Sequence, residues 1–149
     1  MKASERPPHL RWRPIALVAA GGTAGAACRE ALSLLIPHLG SVPLAIPAIN
    51  VMGAFLLGCL YEALLGSERS ISRNLRLLLG TGFCGGFTTY SALARDTAVL
   101  LRDGLAPEAV LYALGTVAIG ACATWAGIAA SSAVRRRSPQ RPRERGPLR

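Results

Sequence analysis

The stretch at residues 81–93, "TGFCGGFTTYSAL", decides the fold because it places polar and helix-weakening residues between two strongly hydrophobic runs. Gly85 and Gly86 weaken a helix, and the hydroxyl groups that follow can bond freed backbone groups. Hydrocarbon offers no hydrogen-bond partners, so these groups need partners within the protein or a water-filled path. The stretch therefore predicts a membrane helix that is interrupted at the Gly-Gly pair.

The composition around this stretch indicates an all-α membrane protein. The chain has 149 residues, of which 51% are hydrophobic and only 17% are charged, which is too little charge for an ordinary soluble domain. Each hydrophobic run approaches or exceeds the ~20 residues that a helix needs to cross a bilayer. We predict four transmembrane helices and no strands, with runs at about residues 14–36, 43–65, 75–101 and 106–132.

Positive charge is concentrated on one side of this arrangement. Lysine and arginine precede the first run, occupy the loop after the second and follow the fourth, whereas the opposite side carries only Arg102. The positive-inside rule therefore predicts a multi-pass protein of the cell membrane with both termini in the cytoplasm. We divide the chain into a basic N-terminal segment (residues 1–13), a transmembrane domain (14–132) and a disordered basic tail (133–149).

Polar residues within the runs allow structural and functional interpretations. Asn50 requires a partner in hydrocarbon, and it could bond a neighbouring helix or donate to a passing solute. Tyr90 and Leu93 are predicted to share a helix face, where an aromatic edge would suit an anion. Arg95 and Asp96 could pair locally or reach the membrane surface. Periodicity alone does not separate these possibilities.

The first and fourth runs carry further candidates. Tyr112, Thr116 and Gly120 are spaced by four residues, so they form one stripe of a helix. The two hydroxyls could donate to an anion, or the stripe could serve helix packing. Arg29 and Glu30 lie in the last third of the first run and could extend to the interface. A small-residue or polar face on every helix favours passage of a small ion over a large solute.

Three motifs in this order resemble the Fluc fluoride channels, also called CrcB proteins. They are "GGTAGAACRE", "NVMGAFLLG" and "GTGFCGGFTTYSALARD", within a match over about residues 16–132. The resemblance implies an antiparallel dual-topology dimer with two fluoride pores, through which cytoplasmic fluoride leaves the cell passively and its toxicity falls. It also implies a structural Na⁺ at the dimer centre, bound by the backbone carbonyls of Gly85 and Thr88, with Arg29 at the vestibule. The expected pore-lining residues are Asn50, Thr89, Tyr90, Ser91, Leu93, Tyr112 and Thr116.

The chain departs from the family pattern at several positions. The family places phenylalanine where Tyr90 and Leu93 stand, glutamate at Asp96 and serine at Gly120. Leu93 has no electropositive ring edge, and a strong charge bias opposes insertion in both orientations. We therefore expect a related subunit of opposite orientation as the partner, although a second copy of this chain remains an alternative.

Functions of other classes are also considered. A four-helix antiparallel drug/proton exporter would need a membrane carboxylate, and Glu30 is the candidate. A non-transporting membrane scaffold would rest on small-residue packing alone. An enzyme is not expected, because His9 and His38 are isolated and no catalytic or metal-ligand spacing occurs. Nucleic acid is not expected as a partner, and the anticipated partners are fluoride, membrane lipid and a second subunit.

Overall fold

The computed structural model describes residues 12–36, 38–39, 42–65 and 70–137, and these residues are mainly helical. The elements in chain order are α1 (Trp12–Leu35), β1 (His38–Leu39), β2 (Val42–Pro43), α2 (Ala45–Ala63), α3 (Ser70–Leu75), a π-helix (Arg76–Cys84), α4 (Gly85–Phe87), α5 (Tyr90–Arg102) and α6 (Ala106–Arg137). The prediction of no strands is wrong in one detail. β1 and β2 form a minimal antiparallel hairpin with Leu39 opposite Val42, so that part of the backbone at this chain reversal pairs locally.

Two helices within the described ranges, α2 and α6, are long and apolar enough to cross a membrane. The helix α1 has 24 residues but carries Arg29 and Glu30 near its end, and the third hydrophobic run is divided among shorter elements. The predicted runs thus coincide with helices.

The predicted basic tail, residues 133–149, begins within the last helix of the structure. α6 continues through Arg137, with three arginines in its last turn, where cations interact favourably with the helix dipole. Arg135 Nη2 also lies 2.6 Å from Oε1 of the buried Glu62 on α2, which holds this turn against the protein. Residues 1–11 and 138–149 lie outside the described residues, and with them most of the predicted N-terminal segment and tail.

The helices associate as two parallel pairs. Three contacts follow one another along α2 and α6: Ala54 with Gly120, Gly58 with Thr124, and Glu62 with Arg135. Because residue numbers increase together along both helices, the two helices are parallel. A Cβ atom at Gly58 would overlap the Thr124 carbonyl, so the glycine permits this backbone approach.

The second parallel pair joins α1 to the π-helix and α4. Gly21 lies against the Leu78 carbonyl and Gly25 against the Phe83 carbonyl. The residue numbers again increase together, so these helices are parallel. A Cβ atom at either glycine would overlap the carbonyl oxygen that it faces. Alternate helices therefore run in the same direction.

The interruption of the third helix lies after the Gly-Gly pair and not at it. Gly85 has helical dihedral angles, with φ −65° and ψ −35°, whereas Thr88 and Thr89 are extended, with ψ of 152° and 119°. Gly86 instead faces the backbone of Gly22 on α1, where a Cβ atom would overlap the carbonyl oxygen. The predicted position of the break is wrong because Gly86 provides close packing within a helical turn, while the β-branched threonines favour the extended backbone.

A small core joins α5 to α6. It contains Leu93, Leu100, Ala109 and Tyr112, and Ile46 of α2 packs against it. Many large apolar side chains elsewhere are exposed, including Leu114 and Trp125 of α6. Such a surface suits a helix that faces lipid or a second subunit.

Candidate functional site

The extended pair Thr88 and Thr89 forms the centre of the candidate site. The Thr88 amide and hydroxyl both donate to the Cys84 carbonyl, at 2.9 and 2.8 Å. One carbonyl therefore receives two hydrogen bonds at the end of the helix, which closes the last turn before the break.

Asn50 of α2 connects the break to the second helix. Its Nδ2 donates to the Thr89 carbonyl at 3.1 Å, and its Oδ1 accepts from the Thr89 amide at 2.8 Å. The carboxamide thus pairs with both backbone groups of Thr89 as a neighbouring strand would. Asn50 is therefore bonded within the protein, although to the extended backbone before α5 and not to a helix. The second Nδ2 hydrogen is left for another acceptor.

This pairing changes the hydrogen bonding of the preceding helix end. In a continuous helix the Thr89 amide would donate to the Gly85 carbonyl, but here it donates to Asn50. The Gly85 carbonyl therefore loses its regular donor, and Gly85 itself is exposed, with no atom within 4 Å of a Cβ position there.

Thr89 also begins the second half of the interrupted helix. Its Oγ1 accepts from the Ala92 amide at 3.2 Å and lies 3.2 Å from the Ser91 hydroxyl. This is a regular N-cap, which fixes the first turn of α5. The exposed Ser91 hydroxyl lies at the positive end of that helix.

A second polar network lies one to two turns along α5. Arg95 Nη2 contacts Asp96 Oδ1 at 3.2 Å, which confirms local pairing of these charges. The other carboxylate oxygen accepts from the Tyr112 hydroxyl of α6 at 3.0 Å. Thr116 Oγ1 in turn donates to the Tyr112 carbonyl at 2.6 Å. The hydroxyls of both stripe residues are therefore bonded within the protein.

A polar cleft of about 880 Å³ joins the break to the charged network. It lies among α1, the β2–α2 corner and α5, and its lining includes Arg29, Glu30, Ser33, Thr89, Ser91, Arg95 and Asp96. The cleft brings Arg29 together with Thr89 and Ser91, which are among the predicted site residues. The lining holds two arginines and two carboxylates, of which Arg95 and Asp96 pair with each other. Around Thr89 and Ser91 the hydroxyls and the N-terminus of α5 converge, an arrangement that can hold a small anion.

Tyr90 and Leu93 do not share an environment within this chain, contrary to the expectation of a common face. Tyr90 is 80% exposed, whereas Leu93 is 5% exposed and packs in the core beside Tyr112. The buried face of α5 follows the spacing of Leu93, Asp96 and Leu100. Tyr90 stands at the first residue of α5, directly after the extended pair.

Asp96 is the site residue that sequence reasoning did not include. It lines the cleft and holds the hydroxyl of Tyr112. Its place on the buried 93–96–100 spacing was a usable signal, but its partner lies 16 residues away on another helix. Only the packing of α5 against α6 identifies that contact.

The donor set available for a metal ion is made of backbone oxygens. Among the described residues no group of three or more His, Cys, Asp or Glu side chains could hold a metal. The Gly85 carbonyl without its helical donor and the adjoining extended Thr88 offer hard oxygen ligands, as unwound membrane helices do for Na⁺. These residues fit an alkali cation better than a transition metal.

Comparison with known proteins gives consistent matches over most of the chain. Residues 16–128 match the family described as CrcB-like protein, Camphor Resistance (CrcB). A fluoride-specific ion channel FluC 2 of Leifsonia xyli subsp. xyli is 44% identical over 89% of this chain and 93% of its own length. The fluoride-specific ion channel FluC of Chlorobaculum tepidum is 44% identical over 76% of this chain and 90% of its own length. That of Methanopyrus kandleri is 39% identical, covering 82% and 92%.

Proposed function

Since the chain belongs to the CrcB family, we propose that it is a subunit of a fluoride-selective ion channel that lets cytoplasmic fluoride leave the cell passively. The observation that carries this proposal is the helix break, which Asn50 stabilises through two hydrogen bonds to the Thr89 backbone. We call this pair of bonds the Asn50 brace. The break opens onto a cleft lined by Arg29, Thr89 and Ser91. The relatives named above are described as fluoride-specific channels. They give no support to a drug exporter or a scaffold.

The chemistry of the cleft suits a small, strongly hydrated anion. A selective path must replace the hydration water of fluoride with hydrogen-bond donors while staying narrow. The Ser91 hydroxyl and the second Nδ2 hydrogen of Asn50 are donors of this kind. The Arg29 guanidinium at the same cleft would attract the anion to the entrance.

The fourth helix would contribute through exchange of hydrogen bonds. The Tyr112 hydroxyl donates to Asp96 in this structure, so fluoride would compete with that carboxylate for the same proton. The Thr116 hydroxyl is held by the Tyr112 carbonyl. We therefore propose that Tyr112 donates to fluoride only when the ion displaces Asp96.

The proposed assembly is a four-span subunit paired with an antiparallel partner. The parallel association of alternate helices is what an up-down-up-down arrangement requires. Na⁺ at the dimer centre would be bound by the carbonyls of Gly85 and Thr88, and its charge would favour an anion nearby. Replacing Na⁺ with a large organic cation should lower the dimer fraction, measured by light scattering in detergent. An unchanged dimer fraction would contradict the cation site.

We propose further that the partner is a related subunit of opposite orientation. The charge bias of the chain would fix it in the cell membrane with both termini in the cytoplasm. Leu93 supplies no aromatic edge, so the partner would supply the intact aromatic pair. Tail accessibility in intact cells tests this point, because comparable amounts of termini on both sides would contradict a single orientation.

Fluoride efflux from liposomes tests the function itself. The purified chain is reconstituted in two preparations, alone and with a related subunit of the same source. Fluoride release is measured with a fluoride electrode, and chloride release serves as the control. Release of fluoride without chloride is expected in at least one of the two preparations. Failure in both would refute the channel assignment.

A further inference from the structure

A second groove, remote from the polar cleft, is formed by α2, the π-helix and α6. Its volume is about 530 Å³, and its lining is apolar except for one serine hydroxyl and two thiols. The walls include Leu60, Ala63, Leu79, Phe83, Ala130 and Val134. Val134 is 68% exposed and Leu79 is 39% exposed, so the groove is open toward the surroundings of the protein.

The end of this groove is surrounded by arginines. On α6, Ala130 and Val134 line the wall, and Arg137 continues the same stripe one turn later. On the opposite wall, Arg76 precedes Leu79 by about one turn and donates to the Leu64 carbonyl. Both walls thus pass from apolar to cationic at the same end of the protein.

Among the described residues at this end, the carboxylate of Glu62 is already paired. Glu62 is engaged by Arg135 at 2.6 Å, which fixes the end of α6 beside the end of α2. Within the described part of the chain, Arg136 and Arg137 form no ion pair and donate no side-chain hydrogen bond. Arg137 therefore has no partner among the described residues, and it lies about one turn beyond the apolar lining of α6.

We propose that this groove binds one anionic phospholipid of the surrounding membrane, with an acyl chain lying along α2 between the π-helix and α6 and the headgroup phosphate at Arg137 and Arg76. The apolar walls suit a hydrocarbon chain, and guanidinium groups bind phosphate with two parallel hydrogen bonds. The face carrying these arginines is the one that the positive-inside rule places toward the anionic leaflet.

Native mass spectrometry of the full chain in detergent, titrated with phosphatidylglycerol or phosphatidylcholine, tests the proposal. Phosphatidylglycerol is expected to bind at one copy per chain and more tightly than phosphatidylcholine. Arg137→Gln should weaken phosphatidylglycerol binding about fivefold, as the loss of one basic contact implies. Arg136→Gln, in the same turn but about 100° around the helix, is the matched control and should change it much less.

The acyl chain is tested by filling the groove. Ala130→Phe should abolish binding of both lipids, whereas Ala129→Phe, on the neighbouring exposed position outside the lining, should leave it intact. Equal affinity for the two lipids, or equal losses with Arg136→Gln and Arg137→Gln, would overturn the proposal. A different occupant, a second copy of this chain, would give another result. The wild-type protein would then bind neither lipid, and Ala130→Phe would break the dimer, which would also overturn the proposal. This experiment measures bound lipid and not fluoride transport, so its result is independent of the proposed channel function.

Discussion

Replacement of Asn50 by leucine should disrupt the helix break while preserving the size of the side chain. The variant removes a donor and an acceptor that now satisfy the Thr89 carbonyl and amide at 3.1 and 2.8 Å. Each backbone group left unpaired in an apolar setting costs about 1–3 kcal/mol. With two such groups, the conformation held by Asn50 is expected to lose about 2–6 kcal/mol relative to alternatives, and fluoride efflux should fall at least about tenfold.

Two further variants separate the brace from a simple donor role. Met52→Leu lies on the exposed side of the same helix and should retain efflux and thermal stability. Asn50→Gln keeps the carboxamide donor but displaces it by one methylene, so it cannot reproduce both bonds to Thr89. We expect Asn50→Gln to behave like Asn50→Leu in liposome efflux and in thermal unfolding followed by size-exclusion chromatography. If Asn50→Gln keeps wild-type efflux, or Asn50→Leu loses less than about twofold, the brace is not required and the reasoning is refuted.

Three other predictions concern the packing and the internal hydrogen bonds. Tyr112→Phe removes the hydroxyl bonded to the α5 carboxylate, so we expect a loss of about 1–2 kcal/mol in unfolding and slower fluoride efflux; unchanged efflux would exclude this hydroxyl from the path. Gly86→Ala should prevent close approach of α1 and abolish the folded protein, while Gly115→Ala, in open space, should be tolerated in the same stability assay. Arg135→Gln leaves the buried Glu62 carboxylate without its partner and should cost about 1–3 kcal/mol, because Arg135 itself is partly solvated. Adding Glu62→Gln should recover most of that loss, and a double variant as unstable as the single one would argue against the pair.

Much of the candidate site is readable from residue types, because hydrocarbon leaves few roles for polar groups. Asn50, Thr88, Thr89 and Ser91 all stand in hydrophobic runs, so each had to be satisfied or functional. The resemblance of the motifs to a channel family predicted fluoride as the transported ion. The family match extends over residues 16–128. The position of the break was misassigned, because helix propensity marks glycine as the weak point. Close packing on α1 overrides that propensity.

The sequence by itself determined that this is a helical membrane protein, where the hydrophobic runs lie and where positive charge is concentrated along the chain. These properties follow from local composition and its transfer into hydrocarbon, so they need no knowledge of contacts. Only the tertiary structure decided that Asn50 pairs with Thr89 across 39 residues, that Asp96 holds Tyr112, and that Leu93 is buried while Tyr90 is exposed. Such contacts depend on how helices are rotated and spaced against one another. For α1 with the π-helix and for α2 with α6, that geometry includes close backbone approach at glycines, whereas α5 and α6 meet through buried side chains. Neither is encoded in a local pattern.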